Sequence, residues 1–448
     1  MLAGGIAAFL IVRRYGETLT TPPPLESTAA DVAAMPAPPN AVLHVLLALA
    51  AVVIAGRLLG SALRRIGQPP VIGEVLGGIL LGPSLLGRLA PELYAYMLPP
   101  SAAPFLNVIA QLGVVFYMFL VGLELNGDLL RARAHATVAI SHASIVLPFV
   151  LGSILALELY PRLSTSDVSF TSFALFMGVA MSITAFPVLA RILTDRGMSR
   201  TELGAVALTC AATDDVTAWC LLALVVGVVR ARIEDALMVA LLTAGFIAVM
   251  FLAVRPAIAR WLKASADRPP SQHVLAVTLA GLLLAALTTE GIGVHAIFGA
   301  FLFGAVIPHD SPLARTLTLK MEDLVTILLL PAFFAFTGMR TEIGLVSGSA
   351  EWLMCGLIIL VATAGKFGGT LVAGRLTGLN WRAAAGLGIL MNTRGLMELI
   401  VLNIGLDLKV ISPTLFTMMV IMALATTIAT TPVLQLLGPA SMRYNSQS

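Results

Sequence analysis

Between residues 42 and 437 the chain passes through thirteen apolar stretches, at about 42–62, 70–86, 104–126, 136–159, 169–193, 201–229, 235–254, 272–288, 291–307, 322–340, 350–374, 382–405 and 411–437. Their lengths suit helices crossing roughly 30 Å of hydrocarbon. Few folds remain open to such a chain. Backbone in lipid must satisfy its own hydrogen bonds, so only helices and closed barrels span a bilayer. The runs are continuous and lack the alternation of barrel strands, so the expected fold is an all-α integral membrane bundle of thirteen helices. Charged residues are 11% of the chain, against about 25% in soluble domains. That excludes an ordinary cytosolic enzyme, a nucleic-acid binder and a disordered chain. The net charge of +3 implies no acidic partner. Cys210, Cys220 and Cys355 lie inside apolar runs without a CxxC pair, so neither a disulfide framework nor a zinc site is expected.

The basic residues orient the spans. Three of the 27, Arg57, Lys366 and Arg394, lie well inside spans, whereas Arg191, Arg340 and Arg382 stand at span ends and are counted with the adjoining loops. Of the other 24, the loops after odd-numbered spans, with the C-terminal tail, hold 16 and the opposite side holds 8. By the positive-inside bias the C-terminus is expected in the cytoplasm and the N-terminus outside. Residues 1–12 are apolar but precede Arg13-Arg14, the reverse of a signal peptide, and are too few to span. With the Pro-, Ala- and Thr-rich stretch that follows, residues 1–41 read as a flexible tail. Residues 438–448 read as a short cytoplasmic tail, and no further soluble domain is expected.

A repeat runs through the spans. VIGEVLGGILLGPSLL (71–86) has a counterpart in VHAIFGAFLFGAVIP (294–308), FYMFLVGLEL (116–125) in FFAFTGMRTEI (333–343), and MSITAFPVL (181–189) in MNTRGLMEL (391–399). The order recurs seven spans later. Seven is odd, so the second copy enters the membrane from the opposite side. Inverted repeats are the architecture of secondary transporters, whose sites lie where interrupted helices meet at midplane. Two interruptions fall at matching places. Thr184-Ala185-Phe186-Pro187 puts a proline in mid-span, which removes a backbone bond and frees carbonyls. Asn392-Thr393-Arg394-Gly395 is its partner.

Asp214 and Asp215 stand in mid-span, in TCAATDDVTAWCLL (209–222). A carboxylate at this depth costs roughly 2.5–3.5 kcal/mol on insertion scales. Adjacent helical residues point about 100° apart, so the two cannot share one partner. One can meet a fixed cation while the other faces an aqueous cavity. Desolvation and a neighbouring negative charge both favour the neutral form of a carboxylate, so such a group holds a proton or a cation but not easily both. That competition is the chemistry of cation/proton exchange. Lys366 is the one lysine inside a span, in TAGKFGGT (363–370). It is read either as a structural counter-ion or as a partner that releases Asp214, or gives up its own proton, when an ion binds. Arg394 and Glu398, four apart, are read first as a structural clamp. Glu74 lies near a membrane surface, read equally as lining an entrance or as structural, and Thr213 adjoins the aspartates. His295 is read as a helix-end residue, and Gly77, Gly78 and Gly82 as close-packing positions.

TAFPVLARIL (184–193), ATDDVTAW (212–219), GIGVHAIFGAFLFGAVIP (291–308) and MNTRGLMEL together resemble the monovalent cation:proton antiporter-2 family, which includes bacterial sodium/proton antiporters and plant cation/proton exchangers. The resemblance covers about residues 42–437. It implies thirteen helices, a homodimer, and an elevator-like movement of a core (136–229 and 350–437) against a dimerisation panel (42–126 and 271–340), with 235–262 as linker. It also implies Asp215 as the ion- and proton-binding aspartate, Asp214 beside it as a second ligand of the transported ion and the partner of Lys366, and Thr184, a threonine of the first unwound stretch, as a further member of the ion- and proton-binding set. Some relatives carry an aspartate directly after that threonine. This chain has Ala185, so a three-carboxylate site is not expected. Glutathione-gated potassium efflux systems of the same family carry Gln-Asp where this chain has Asp214-Asp215, together with a nucleotide-binding domain. Regulation by NAD or glutathione is therefore not expected. The expected activity is electrogenic exchange of Na⁺, with Li⁺ or K⁺ as alternatives, for protons across a bacterial inner membrane, in the service of pH homeostasis. No cofactor, enzymatic reaction or nucleic-acid partner is expected. A sodium-coupled organic-anion symporter of the same general fold is the alternative of a different class. Two adjacent acids and a mid-span lysine argue against it, because they would repel an anionic substrate.

Overall fold

The computed structural model describes residues 2–22, 41–124, 134–166, 168–198, 201–230, 236–264 and 270–437. Among them every regular element is helical. Ten segments are long and apolar enough to cross a membrane. Three shorter apolar helices, Phe170–Ser182, Ala296–Val306 and Trp381–Met391, fall where three more of the expected segments lie. Phe170–Ser182 and Trp381–Met391 are each the first half of a broken span. Their second halves are Phe186–Asp195 and Leu396–Asp407.

The start of the chain departs from the sequence expectation. Leu2–Gly16 is an α-helix, not a tail. Its run of Ala, Leu and Ile favours a helix, and a packing partner is available. Phe9 meets Phe149 at a ring-centroid distance of 5.9 Å, and Val12 is buried. Residues 23–40 and 438–448 lie outside the described residues.

The packing follows the repeat. Pro70–Leu81 lies against Leu330–Met339, and Ala103–Glu124 against Ala296–Val306. Exchanging the two repeat copies converts the first pair into the second. The same exchange maps the pair Ala41–Arg65 and Pro70–Leu81 onto Gln272–Ile292 and Ala296–Val306, which also pack together. Ala134–Leu163 packs on its own counterpart, Ser349–Leu376. This is the contact pattern of two repeat copies related by a pseudo-two-fold axis, as an internal structural repeat requires. Met250–Val254, which continues Ala236–Val249 into Arg255–Ala264, lies in the region between the copies.

Glycines set the closest approaches, as expected where the apolar solvent leaves packing to drive association. A Cβ on Gly122 would stand 2.3 Å from the Phe301 carbonyl oxygen, and one on Gly304 would stand 2.3 Å from that of Phe119. The obstacles are backbone, so neither can swing aside. Gly304→Ala is expected to lower the thermal midpoint in detergent, with an overpacking cost of about 1–3 kcal/mol. A midpoint equal to wild type would show that the two helices do not approach this closely. Gly293 has a different role: it ends Gln272–Ile292 in the left-handed region, at φ 99°, which favours glycine.

Candidate ion site at the crossing of two broken helices

The two breaks meet. Ile183 leaves the helix Phe170–Ser182 in extended conformation, and Asn392 ends Trp381–Met391. Where the stretches cross, the Ala185 amide donates to the Thr393 carbonyl at 3.0 Å. Thr184 Oγ1 lies 3.1 Å from the Met391 carbonyl oxygen. Four helix ends therefore converge, two of them carboxyl ends carrying partial negative charge.

Cations answer both negative ends. Arg394, in the second break, donates to the carbonyls of Ala180 at 3.0 Å and Met181 at 2.7 Å, the last turn of the first broken helix. Its own charge is met by Glu398 Oε2 at 2.7 Å, both side chains fully buried. The clamp read from their spacing is thus a cap on the opposite half of the crossing. At the other end, Lys366 Nζ donates to Thr184 Oγ1 at 2.6 Å, and that hydroxyl faces the Met391 carbonyl. Truncating one member of a buried pair leaves the other uncompensated, at about 3–5 kcal/mol. Glu398→Ala is expected to lower the thermal midpoint by that mechanism. A midpoint unchanged from wild type would mean that Arg394 does not depend on Glu398.

The two aspartates have opposite surroundings. Asp214 is fully buried, with four donor groups within reach of its oxygens, the Thr184 hydroxyl standing equally near Met391 O. Ser141 Oγ lies 2.6 Å from Oδ1. Ser144 Oγ lies 2.7 Å from Oδ2, Lys366 Nζ 3.0 Å, and Thr184 Oγ1 3.1 Å. Asp215 is 4% exposed, and neither of its oxygens closes a hydrogen bond among the described residues. The Phe186 amide, which starts the helix Phe186–Asp195, lies beside it, so the partly positive end of that helix faces the carboxylate. The Tyr117 side chain, from the helix Ala103–Glu124, is a further neighbour.

The remaining residues stand outside this cluster. Thr213 donates to the Thr209 carbonyl of its own helix at 2.8 Å. Glu74 is half-buried against the helix Ala41–Arg65, near Arg57. His295 caps Ala296–Val306 through the Ile297 amide. Ser141 and Ser144, which touch Asp214 most closely, were not singled out from the sequence. Two serines three apart are ordinary in an apolar helix, and only their facing Asp214 from another span marks them.

A helical membrane bundle whose two interrupted helices cross beside a buried, unpartnered carboxylate has the form of a secondary transporter. The model of the transmembrane sodium/hydrogen exchanger family matches residues 46–437, and the chain belongs to that family. The Na(+)/H(+) antiporter NhaS4 of Synechocystis is 44% identical over 90% of this chain and 98% of its own length. Cation/H(+) antiporter 19 of Arabidopsis thaliana is 40% identical over 88% of this chain and 49% of its own. The K(+)/H(+) antiporter 1 of Saccharomyces cerevisiae is 34% identical over 84% and 44%. The chain thus spans about half the length of these last two. Among solved structures, the sodium proton antiporter MjNhaP1 of Methanocaldococcus jannaschii shares the fold, with a TM-score of 0.63 over 90% of this chain and 98% of that one, at 17% identity.

Proposed function

We propose that the protein exchanges a monovalent cation for protons across the membrane, with Asp215 as the group for which the two compete. One observation carries this reading: a buried carboxylate without a hydrogen-bond partner stands next to one that has four donors. An unpartnered buried carboxylate is costly unless it holds a proton or a cation. Asp214, expected beside Asp215 as an ion ligand, has little left to offer a cation. Its part in this reading is to hold Lys366 and Thr184 at the crossing. Na⁺ is placed first because the relative that is matched along nearly its full length is named for Na⁺/H⁺ exchange. Li⁺ and K⁺ remain alternatives, since all three are hard cations satisfied by oxygen. The organic-anion symporter is disfavoured, because its substrate would face an uncompensated carboxylate.

The cycle is read as two protons against one cation, and so as electrogenic, with about 2.3 kcal/mol per net charge at 100 mV. The core of 136–229 and 350–437 moves against the panel of 42–126 and 271–340 in a homodimer of the inner membrane, with the N-terminus outside and the C-terminus inside. Polar contacts that such a movement must break join the two parts. Arg340 reaches Asp407 at 2.6 Å and Asn403 at 3.0 Å, and Asn403 donates to Thr337 at 2.7 Å. The test is reconstitution in liposomes with an imposed pH gradient. Addition of Na⁺, Li⁺ or K⁺ in turn is expected to dissipate the gradient for at least one of them. A gradient that survives all three would overturn antiport.

A further inference from the structure

We infer that Gln68 is a one-sided latch between panel and core. Its side-chain amide, carried by the panel, docks on a core carbonyl that Pro432 has freed, and it stabilises the described arrangement over the one to which the core moves. The inference rests on the moving-core reading above and adds the residue that sets the balance between its two states.

The acceptor is open because of the sequence. In an α-helix the carbonyl of residue 428 accepts from the amide of residue 432. Pro432, inside the helix Pro413–Leu436, has no amide, so the Ile428 carbonyl lacks that donor. Gln68 Nε2 donates to it at 3.2 Å. A carbonyl only accepts, which fixes the nitrogen of the Gln68 amide on that side.

The donor is held by its backbone. Gly67, in the left-handed region at φ 74°, closes Ala41–Arg65 in a Schellman cap. The Gly67 amide donates to Arg64 O at 3.0 Å, and the Gln68 amide to Leu63 O at 3.0 Å. Pro69 and Pro70 follow and start Pro70–Leu81. Gln68 is therefore a buried side chain on a stiff corner.

The repeat copies differ at this point. The corner that matches it, seven spans later, has the same cap: the Gly293 amide donates to Glu290 O, and the Val294 amide to Thr289 O. There Val294 holds the place of Gln68, and its side chain has no donor. The span that matches Pro413–Leu436 is Glu202–Arg230, which contains no proline. The amide and the freed carbonyl thus each lack a counterpart, and they meet at one end of the molecule only. By the charge asymmetry that end is the cytoplasmic one.

The contact favours one state. When the core slides away, the Ile428 carbonyl loses Gln68, and residue 432 cannot replace it. An unmade hydrogen bond in an apolar setting costs more than a made one contributes. Against this, Gln68 Oε1 is buried without a partner among the described residues, so docking costs that oxygen its water. The balance is of the order of one net hydrogen bond, which sets a population and is overcome in every cycle.

The test is the distance between spin labels at positions 64 on the panel and 376 on the core, in liposomes. The background is Cys210→Ala/Cys220→Ala/Cys355→Ala, diluted with unlabelled protein. Wild type is expected to show two distances, with the described arrangement favoured. Gln68→Met, which keeps the length and removes the donor, is expected to shift their ratio away from that arrangement by roughly two- to tenfold. Pro432→Ala is expected to do the same, because the restored amide takes the Ile428 carbonyl within its own helix. The double variant is expected to shift no further than either single one. Pro432→Ala is also expected to keep or raise the thermal midpoint, since alanine favours a helix interior, so its shift is not a sign of general loosening. Two distances with an unaltered ratio in either single variant, or additive shifts in the double one, would overturn the latch alone. A single distance in wild type and all variants would overturn the moving core, and the latch with it. An absence of exchange in wild type would overturn the antiport reading, and the distance ratios would still decide the latch.

Discussion

Asp215→Asn protein is expected to insert, to melt at or above the wild-type temperature, and to move protons no faster than empty liposomes when Na⁺, Li⁺ or K⁺ is added. The loss follows from chemistry: an amide cannot exchange a proton for a cation. The retained stability follows from geometry. Asp215 has no side-chain donor among the described residues, only the Phe186 amide beside it, and an asparagine oxygen can face that amide in its place, so the replacement breaks no side-chain contact. An uncompensated buried carboxylate is itself unfavourable, and the amide removes that cost. Fold and activity are thus expected to part company at this residue. Exchange near the wild-type rate in Asp215→Asn would remove it from the transport step.

Lys366 is expected to behave differently, because it is tied in. Its ammonium reaches Asp214 at 3.0 Å and Thr184 at 2.6 Å, and it is fully buried. Lys366→Gln should lower the thermal midpoint, weaken exchange and abolish its voltage dependence together. Breaking a buried pair typically costs about 3–5 kcal/mol. Here Ser141 and Ser144 still hold the orphaned carboxylate, and it can also take up a proton, so the loss is expected toward the lower end. Lys366→Ala protein with an unchanged midpoint and an unchanged voltage response would show that the lysine and Asp214 do not meet.

Much of the crossing is legible in the sequence because charges and prolines are so out of place in apolar runs. Pro187 and the Asn392–Gly395 stretch each mark a break, and the seven-span spacing pairs them. The scarcity of mid-span charge makes Lys366 a natural partner for an aspartate, and the structure places it 3.0 Å from Asp214. The division of labour between the aspartates is not legible. A 100° offset says that they face different surroundings, but the identity of those surroundings depends on which helix packs where. Ser141 and Ser144 are invisible for a related reason: a serine in a membrane helix usually satisfies itself locally, and only tertiary packing turns these two toward Asp214. The same holds for Arg394. Its spacing from Glu398 reveals the pair, but the carbonyls of Ala180 and Met181, more than 200 residues earlier in the chain, complete its role. The helix Leu2–Gly16 was missed because its apolar run is too short to span, and length alone does not reveal a partner such as Phe149.

Competition at Asp215 is the central claim, and proton release on cation binding tests it without any need for transport. Purified protein in weakly buffered detergent solution would be titrated with Na⁺, and then with Li⁺ and K⁺, while pH is recorded. The account predicts saturable acidification by wild-type protein with at least one of these cations, and none by Asp215→Asn. Saturable cation binding without proton release in wild type, or equal release by Asp215→Asn, would contradict it.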